Sequence, residues 1–144
     1  DKDGNLKWEE STHNLVVNEG LQDMNTKYFK GSTYTAAFYM GLVTGPGSGT
    51  SYAATDTLAS HSGWTEYTDY SGARKAMTFG SASSAVSFTI TGAGGTVAGA
   101  FVCTVSSGSS GVLFSEADFQ SPGDRVVVSG DTLNVTYTFS LDAA

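Results

Sequence analysis

The residues with the greatest chemical capacity lie between Ser60 and Ser83, in the run SHSGWTEYTDYSGARKAMTFGSAS. His61 stands between two serines, and Asp56, Glu66 and Asp69 are close to it in sequence. A Ser–His–Asp relay would need such groups to converge beside an oxyanion hole. The chain has no Gly-x-Ser-x-Gly turn between a strand and a helix; GSGTS and SGSSG have the composition of loops. The run therefore reads as a surface turn, with Trp64 as the first inward residue of a strand. Metal chemistry has as little to work with. Two histidines, His13 and His61, and a single cysteine, Cys103, provide no paired spacing of the kind zinc sites use. The opening DKDGN is a fragment of a calcium loop without the bidentate glutamate that closes one. TGAGGT lacks a phosphate-loop lysine and precedes a strand, so it reads as a hairpin turn. A glycosidase pair cannot be picked out of 14 acids by sequence. NVT at Asn134 matches a glycosylation sequon but falls in mid-strand and reads as a polar sheet face. The expectation is a protein that is not an enzyme and uses no cofactor and no metal. What remains is Trp, Tyr and charged side chains, types that gather at protein interfaces. The candidate partner contacts are Lys7, Trp8 and Glu9 near the start, and Trp64, Tyr67 and Tyr70 in the central run.

The elements that must position these residues are mostly strands. The 144 residues match one ordinary domain. Charged residues make up 15%, against ~25% in an average soluble protein, so Ser, Thr, Asn and Gly carry the polar surface. The net charge of −7 argues against direct binding to nucleic acid, which needs Lys and Arg to displace counterions. It gives no support to binding at an anionic membrane. No apolar run approaches the ~18–20 residues of a membrane span, and the polar start has no secretion-signal pattern. Cys103 lies in GAFVCTV, the most apolar run, and reads as a buried thiol. Residues 1–12 read as an N-terminal arm, and residues 13–144 as a single β-sandwich domain. Val17, Leu21, Met24 and Tyr28 share one face of a short helix, with Asn18 as cap and Gly31 as stop. Its apolar stripe is expected to cover an open end or face of a sheet. TGPGSGTS reads as a loop, TDTLASHSG as one helical turn, and WTEYTDY as an alternating strand with Trp64, Glu66 and Thr68 on one side. TVAGAFVCTV is apolar on both faces, as a central strand is, with Val97, Phe101, Cys103 and Val105 inward on one of them. SG between DRVVV and DTLNVTYTFSL signals a tight hairpin. In the last strand Leu133, Val135, Tyr137, Phe139 and Leu141 alternate with polar residues. The sum is an all-β, two-layer β-sandwich, jelly-roll or Greek-key-like, of about eight strands with one short helix near the N-terminus.

Several segments also resemble a known family. NLVVNEGLQDM, FYMGLV, ATDTLASHSGWTEYTDYSGARKAMTFG, FTITG with TVAGAFV, and VVSGDTLNVTYTFSL are similar to small structural proteins of tailed bacteriophages. The similarity runs from about Asn14 to the C-terminal end, and the motifs carry no chemistry. The resemblance implies a virion protein, foremost a capsid cement (decoration) protein on the surface of the phage head, made in the bacterial cytoplasm. Its implied partners are the major capsid protein and further copies of itself, with no direct contact to nucleic acid or membrane. The alternative is a tail or neck component, including a receptor- or carbohydrate-binding sandwich that presents Trp64, Tyr67 or Tyr70 as a platform.

Overall fold

The computed structural model describes residues 1–46, 51–80, 82–119 and 123–140. Among these residues nine strands form two antiparallel sheets, with one short helical segment near the N-terminus, so the fold is an all-β sandwich. The strands are β1 (Leu15–Val16), β2 (Phe38–Thr44), β3 (Glu66–Tyr67), β4 (Lys75–Met77), β5 (Ser83–Thr89), β6 (Gly95–Cys103), β7 (Leu113–Asp118), β8 (Arg125–Val127) and β9 (Thr132–Thr138). The layers are unequal. Seven strands make the large sheet, in the order β1-β7-β6-β2-β3, with β4 on β2 and β8 on β6; β5 and β9 make a two-stranded ribbon.

β6 lies at the centre, and its apolar residues face both ways. Ala100 and Val102 pack with Met40, Phe88, Leu133 and Tyr137 between the sheets. Phe101 and Cys103 pack on the opposite face with Val43 and Leu113, beneath Val17, Leu58 and Trp64. The segment that carries Tyr52, Leu58 and Trp64, with the start of the helix, thus forms a third, irregular layer. One face assignment is corrected. Val97 belongs to the inter-sheet core and not with Phe101 and Cys103. The β2–β6 register slips between Val43 and Thr44, opposite Gly99, and the side chains before the slip change sides. Gly99 is required there, since a Cβ would run into Ala117 O and the Tyr52 hydroxyl.

The last strand alternates as its sequence says. Leu133 and Tyr137 are buried, Val135 and Phe139 half-buried, and Thr132, Asn134, Thr136 and Thr138 exposed. Leu141 lies outside the described residues. Its partner, however, is β5, paired from Ser83↔Thr138 to Thr89↔Thr132. No β8–β9 hairpin forms, because β8 pairs with β6. The turn at Ser129–Gly130 instead carries the chain from one sheet to the other, held by Gly130 N–H to Ile90 O (3.0 Å). GAGG likewise joins β5 to β6 across the layers and is not a hairpin turn.

The helix α1 (Asn18–Met24) continues as a π-helical turn over Asn25–Phe29 and ends before Gly31. Its cap position is Val17, without a side-chain cap, not Asn18. The Asn18 N–H is met by Ala54 O (2.8 Å). Glu19 Oε2 accepts from Leu58 N–H (3.1 Å) and Leu113 N–H (2.7 Å), which ties the helix to the irregular layer and to β7. The expected apolar stripe is only partly covered. Val17 is buried and Met24 half-buried, but Leu21 is exposed within α1, and Tyr28 is exposed in the wider π turn that follows. Gly20, which seems a flaw in a helix, is the contact point: a Cβ there would overlap the Phe114 carbonyl of β7. TDTLASHSG holds no helix; Thr57 and Ser60 pair across a tight turn. The loop expected over residues 44–51 lies partly outside the described residues.

Candidate interaction surface

The residues expected to touch a partner are placed differently from one another. Trp64 is 7% exposed, and Tyr67 and Tyr70 are 5% each. None of the three forms a platform. They are buried at every third position, not every second, because β3 is only two residues long and the chain around it turns. Trp64 lies on the outer face of the large sheet, whereas Tyr67 and Tyr70 lie in the inter-sheet core. His61 stacks on Trp64 at 3.7 Å, and its Nδ1 lies 3.2 Å from Trp64 O.

The arm also turns inward. Trp8 packs against Phe119 (6.1 Å between ring centroids) with the Arg125 guanidinium over its face (4.3 Å). Glu10 pairs with Arg125 in a site from which both are largely hidden. Lys7 Nζ bonds Asp131 Oδ2 (2.7 Å), and Asp131 also accepts from Val128 N–H (3.0 Å). The Lys7 bond holds the Asp131 carboxyl below its usual range. Of the three candidates, Glu9 is exposed, Lys7 is exposed but paired, and Trp8 is half-buried against its own domain. Residues 1–12 form a clasp, not a projecting anchor.

Two further polar clusters are committed internally. Arg74 donates through Nε to Glu66 Oε1 (2.9 Å) and through Nη2 to Glu66 Oε2 (2.7 Å). Its Nη1 reaches Gly108 O (2.9 Å), Val105 O (3.3 Å) and Cys103 Sγ (3.5 Å), so one guanidinium ties β3 to the loop after β6. Burial raises the Cys103 thiol pKa, which disfavours the nucleophilic thiolate. On β7, Glu116 is 1% exposed and accepts from Trp64 Nε1 (2.8 Å). Burial, together with the charge of Asp56, pushes its pKa up to about 7. Its other oxygen, Oε1, is buried without a hydrogen-bond partner among the described residues. Among the described residues, no group of three or more His, Cys, Asp or Glu is arranged to hold a metal ion.

The exposed feature lies elsewhere, at the π turn and the segment after it. Tyr28 is 82% and Phe29 79% exposed, and their rings meet edge-to-face at 5.1 Å. Tyr34, 53% exposed, lies under Lys27 Nζ (5.6 Å), which also pairs with Asp23 (3.4 Å). Leu21 is exposed two turns earlier on the same helical run. Large apolar side chains grouped on a surface mark interaction sites, and paired aromatics are the usual centres of such sites. Sequence reasoning placed Tyr28 on a covered stripe and passed over Phe29 and Tyr34. The available signal was KYFK: two adjacent aromatics cannot both lie on one covered face of a helix, and flanking lysines keep that end in water.

The aromatic knob is a group of exposed apolar rings at the end of the helical run. No family model, curated protein or solved structure matches the chain, so the reading of this surface stands on its residues.

Proposed function

We propose that the protein is a non-enzymatic structural component of a tailed-phage virion, a cement protein that binds the assembled head shell and bridges its subunits. The observation that carries the reading is the aromatic knob of Tyr28, Phe29 and Tyr34 on a body tied together by the Arg74–Glu66 and Trp64–Glu116 bonds. A cement protein needs a stiff body and an adhesive surface, with no pocket for chemistry. The resemblance of the segments from Asn14 onward supports the phage assignment. In this reading the partners are the major capsid protein and neighbouring copies of the chain, and symmetry multiplies each weak contact.

The test is binding to purified heads that lack the protein. The double variant Tyr28→Ser, Phe29→Ser should remain folded, because both side chains are exposed, and should lose most of its co-sedimentation with heads. Heads without the protein should release DNA at a lower temperature than heads saturated with it. Equal heat resistance in the two preparations, or a particle reconstruction that places the protein on the tail alone, overturns the cement reading in favour of a tail component.

A further inference from the structure

The β5–β9 ribbon leaves one edge open. Ile90 N–H donates to Asp131 O (2.8 Å) at one end of the ribbon, and Phe139 N–H to Ala82 O (2.8 Å) at the other. The register between them is unbroken. Antiparallel bonding alternates along a strand, so the odd-numbered residues of β9 bond β5. Thr132, Asn134, Thr136 and Thr138 therefore aim their N–H and C=O groups away from it. Among the described residues no strand pairs with that edge, and no backbone hydrogen bond reaches these four. The edge is about 20 Å long.

The N-terminal segment runs beside this edge without bonding to it. Between them lies a groove of about 560 Å³, lined on one side by residues of the arm and on the other by Thr132, Leu133, Asn134 and Thr136. That volume falls within the ~300–1,000 Å³ typical of ligand sites. Its lining carries Asp1, Glu10 and Asp131 against a single lysine, Lys7. Asp131 is 3% exposed. Glu9 adds an exposed negative charge at the rim.

We propose that the groove between β9 and the N-terminal arm is a strand-accepting site, which takes an extended segment of a partner protein carrying a basic side chain. A row of outward N–H and C=O groups at strand spacing is matched by an extended backbone, as in strand addition to an open sheet edge. The acidic lining, with Glu9 exposed at its rim, is matched by a lysine or arginine. The arm, held by Trp8 and by the Lys7–Asp131 and Glu10–Arg125 pairs, forms the outer wall. The proposal does not rest on the cement reading, since any partner with such a segment would serve.

The probe is a nine-residue peptide, acetylated and amidated, that alternates threonine and valine around one central lysine. Titrated into the full chain, it should bind saturably, with amide shifts and slowed exchange at Thr132, Asn134, Thr136 and Thr138. The same peptide N-methylated at every second amide leaves the protein untouched and removes one edge of bonds; it should bind at least about tenfold more weakly. Replacing the lysine by glutamate should weaken binding by a similar factor. The proposal is overturned by absence of saturable binding, by equal binding of the N-methylated peptide, or by shifts confined to Tyr28, Phe29 and Tyr34. It is also overturned if the four amides are already protected in a concentration-dependent dimer, which would assign the edge to a second copy. Head binding by the protein is read separately, so a failed peptide titration leaves the cement reading standing, and the reverse.

Discussion

Glu116 shows how a single buried acid sets a pH dependence. Its pKa is about 7 in the folded chain, against 4.5 for the ordinary group. Between those values the folded state binds more protons than the unfolded one, so the contribution is fully present below about pH 4.5 and is lost as pH rises through 7. The loss is on the order of 3 kcal/mol by linkage. Glu116→Gln keeps an acceptor for Trp64 Nε1 and removes the titration. Urea unfolding of the variant should be flatter than wild type between pH 5 and 8, and the variant should be the more stable of the two at pH 8. Parallel curves for the two proteins would show that Glu116 does not carry the slope. Nothing in the sequence marked this residue: SEAD looks like the polar end of a strand, and only the fold, by placing α1 and the Trp64 segment over β7, buries it.

At the scale of elements, helix and arm each carry a prediction. Ala at position 20 should improve helix propensity by about 1 kcal/mol. It would also drive a methyl group into the Phe114 carbonyl, and overpacking of that kind costs about 1–3 kcal/mol. The clash involves backbone, which cannot rotate away, so Gly20→Ala should lower the thermal midpoint; a rise would mean that the helix slides freely on β7. Deleting residues 1–12 removes Trp8 and leaves Arg125 buried without Glu10. Removing the charged member of a largely buried ion pair is costly even where Arg125 keeps Gly123 O, up to about 3–5 kcal/mol. The shortened chain should therefore melt well below the full chain by calorimetry, whereas a projecting arm would be removed at no cost. The strands themselves were more legible. Apolar residues on both faces of β6 predicted a central strand, and unbroken alternation predicted β9. Their partners were not legible, because a turn signal such as SG states that the chain reverses and not which sheet receives it.

At the scale of the whole molecule, charge opposes the approach of two copies. Two chains of net charge −7 repel one another over a Debye length, about 10 Å at 0.1 M salt. Any contact between copies through the knob should therefore strengthen as salt rises from about 0.05 to about 0.5 M. Sedimentation velocity across that range checks it, and a mass that falls with salt would point to ion pairs between copies instead. The sandwich was legible because low charge, frequent glycine and short alternating runs all point to strands. The knob was not, because exposure of Tyr28 and Phe29 depends on a π turn that leaves no period in the sequence.

The ribbon also sets an order of events during synthesis. β5 emerges from the ribosome early, but its partner β9 is 43 residues behind it, counted from Thr89 to Thr132. Until β9 arrives, the face of the large sheet that carries Met40, Leu42, Ala100 and Val102 has only half its cover. A nascent chain stalled after Gly130 should thus expose that face to chaperones and to dyes that bind apolar surface, and release should extinguish both signals. Pairing over so long a separation also places this domain among slow folders, in the range of milliseconds to seconds. Stopped-flow refolding of the finished chain should show burial of Leu133 and Tyr137 in its slowest phase.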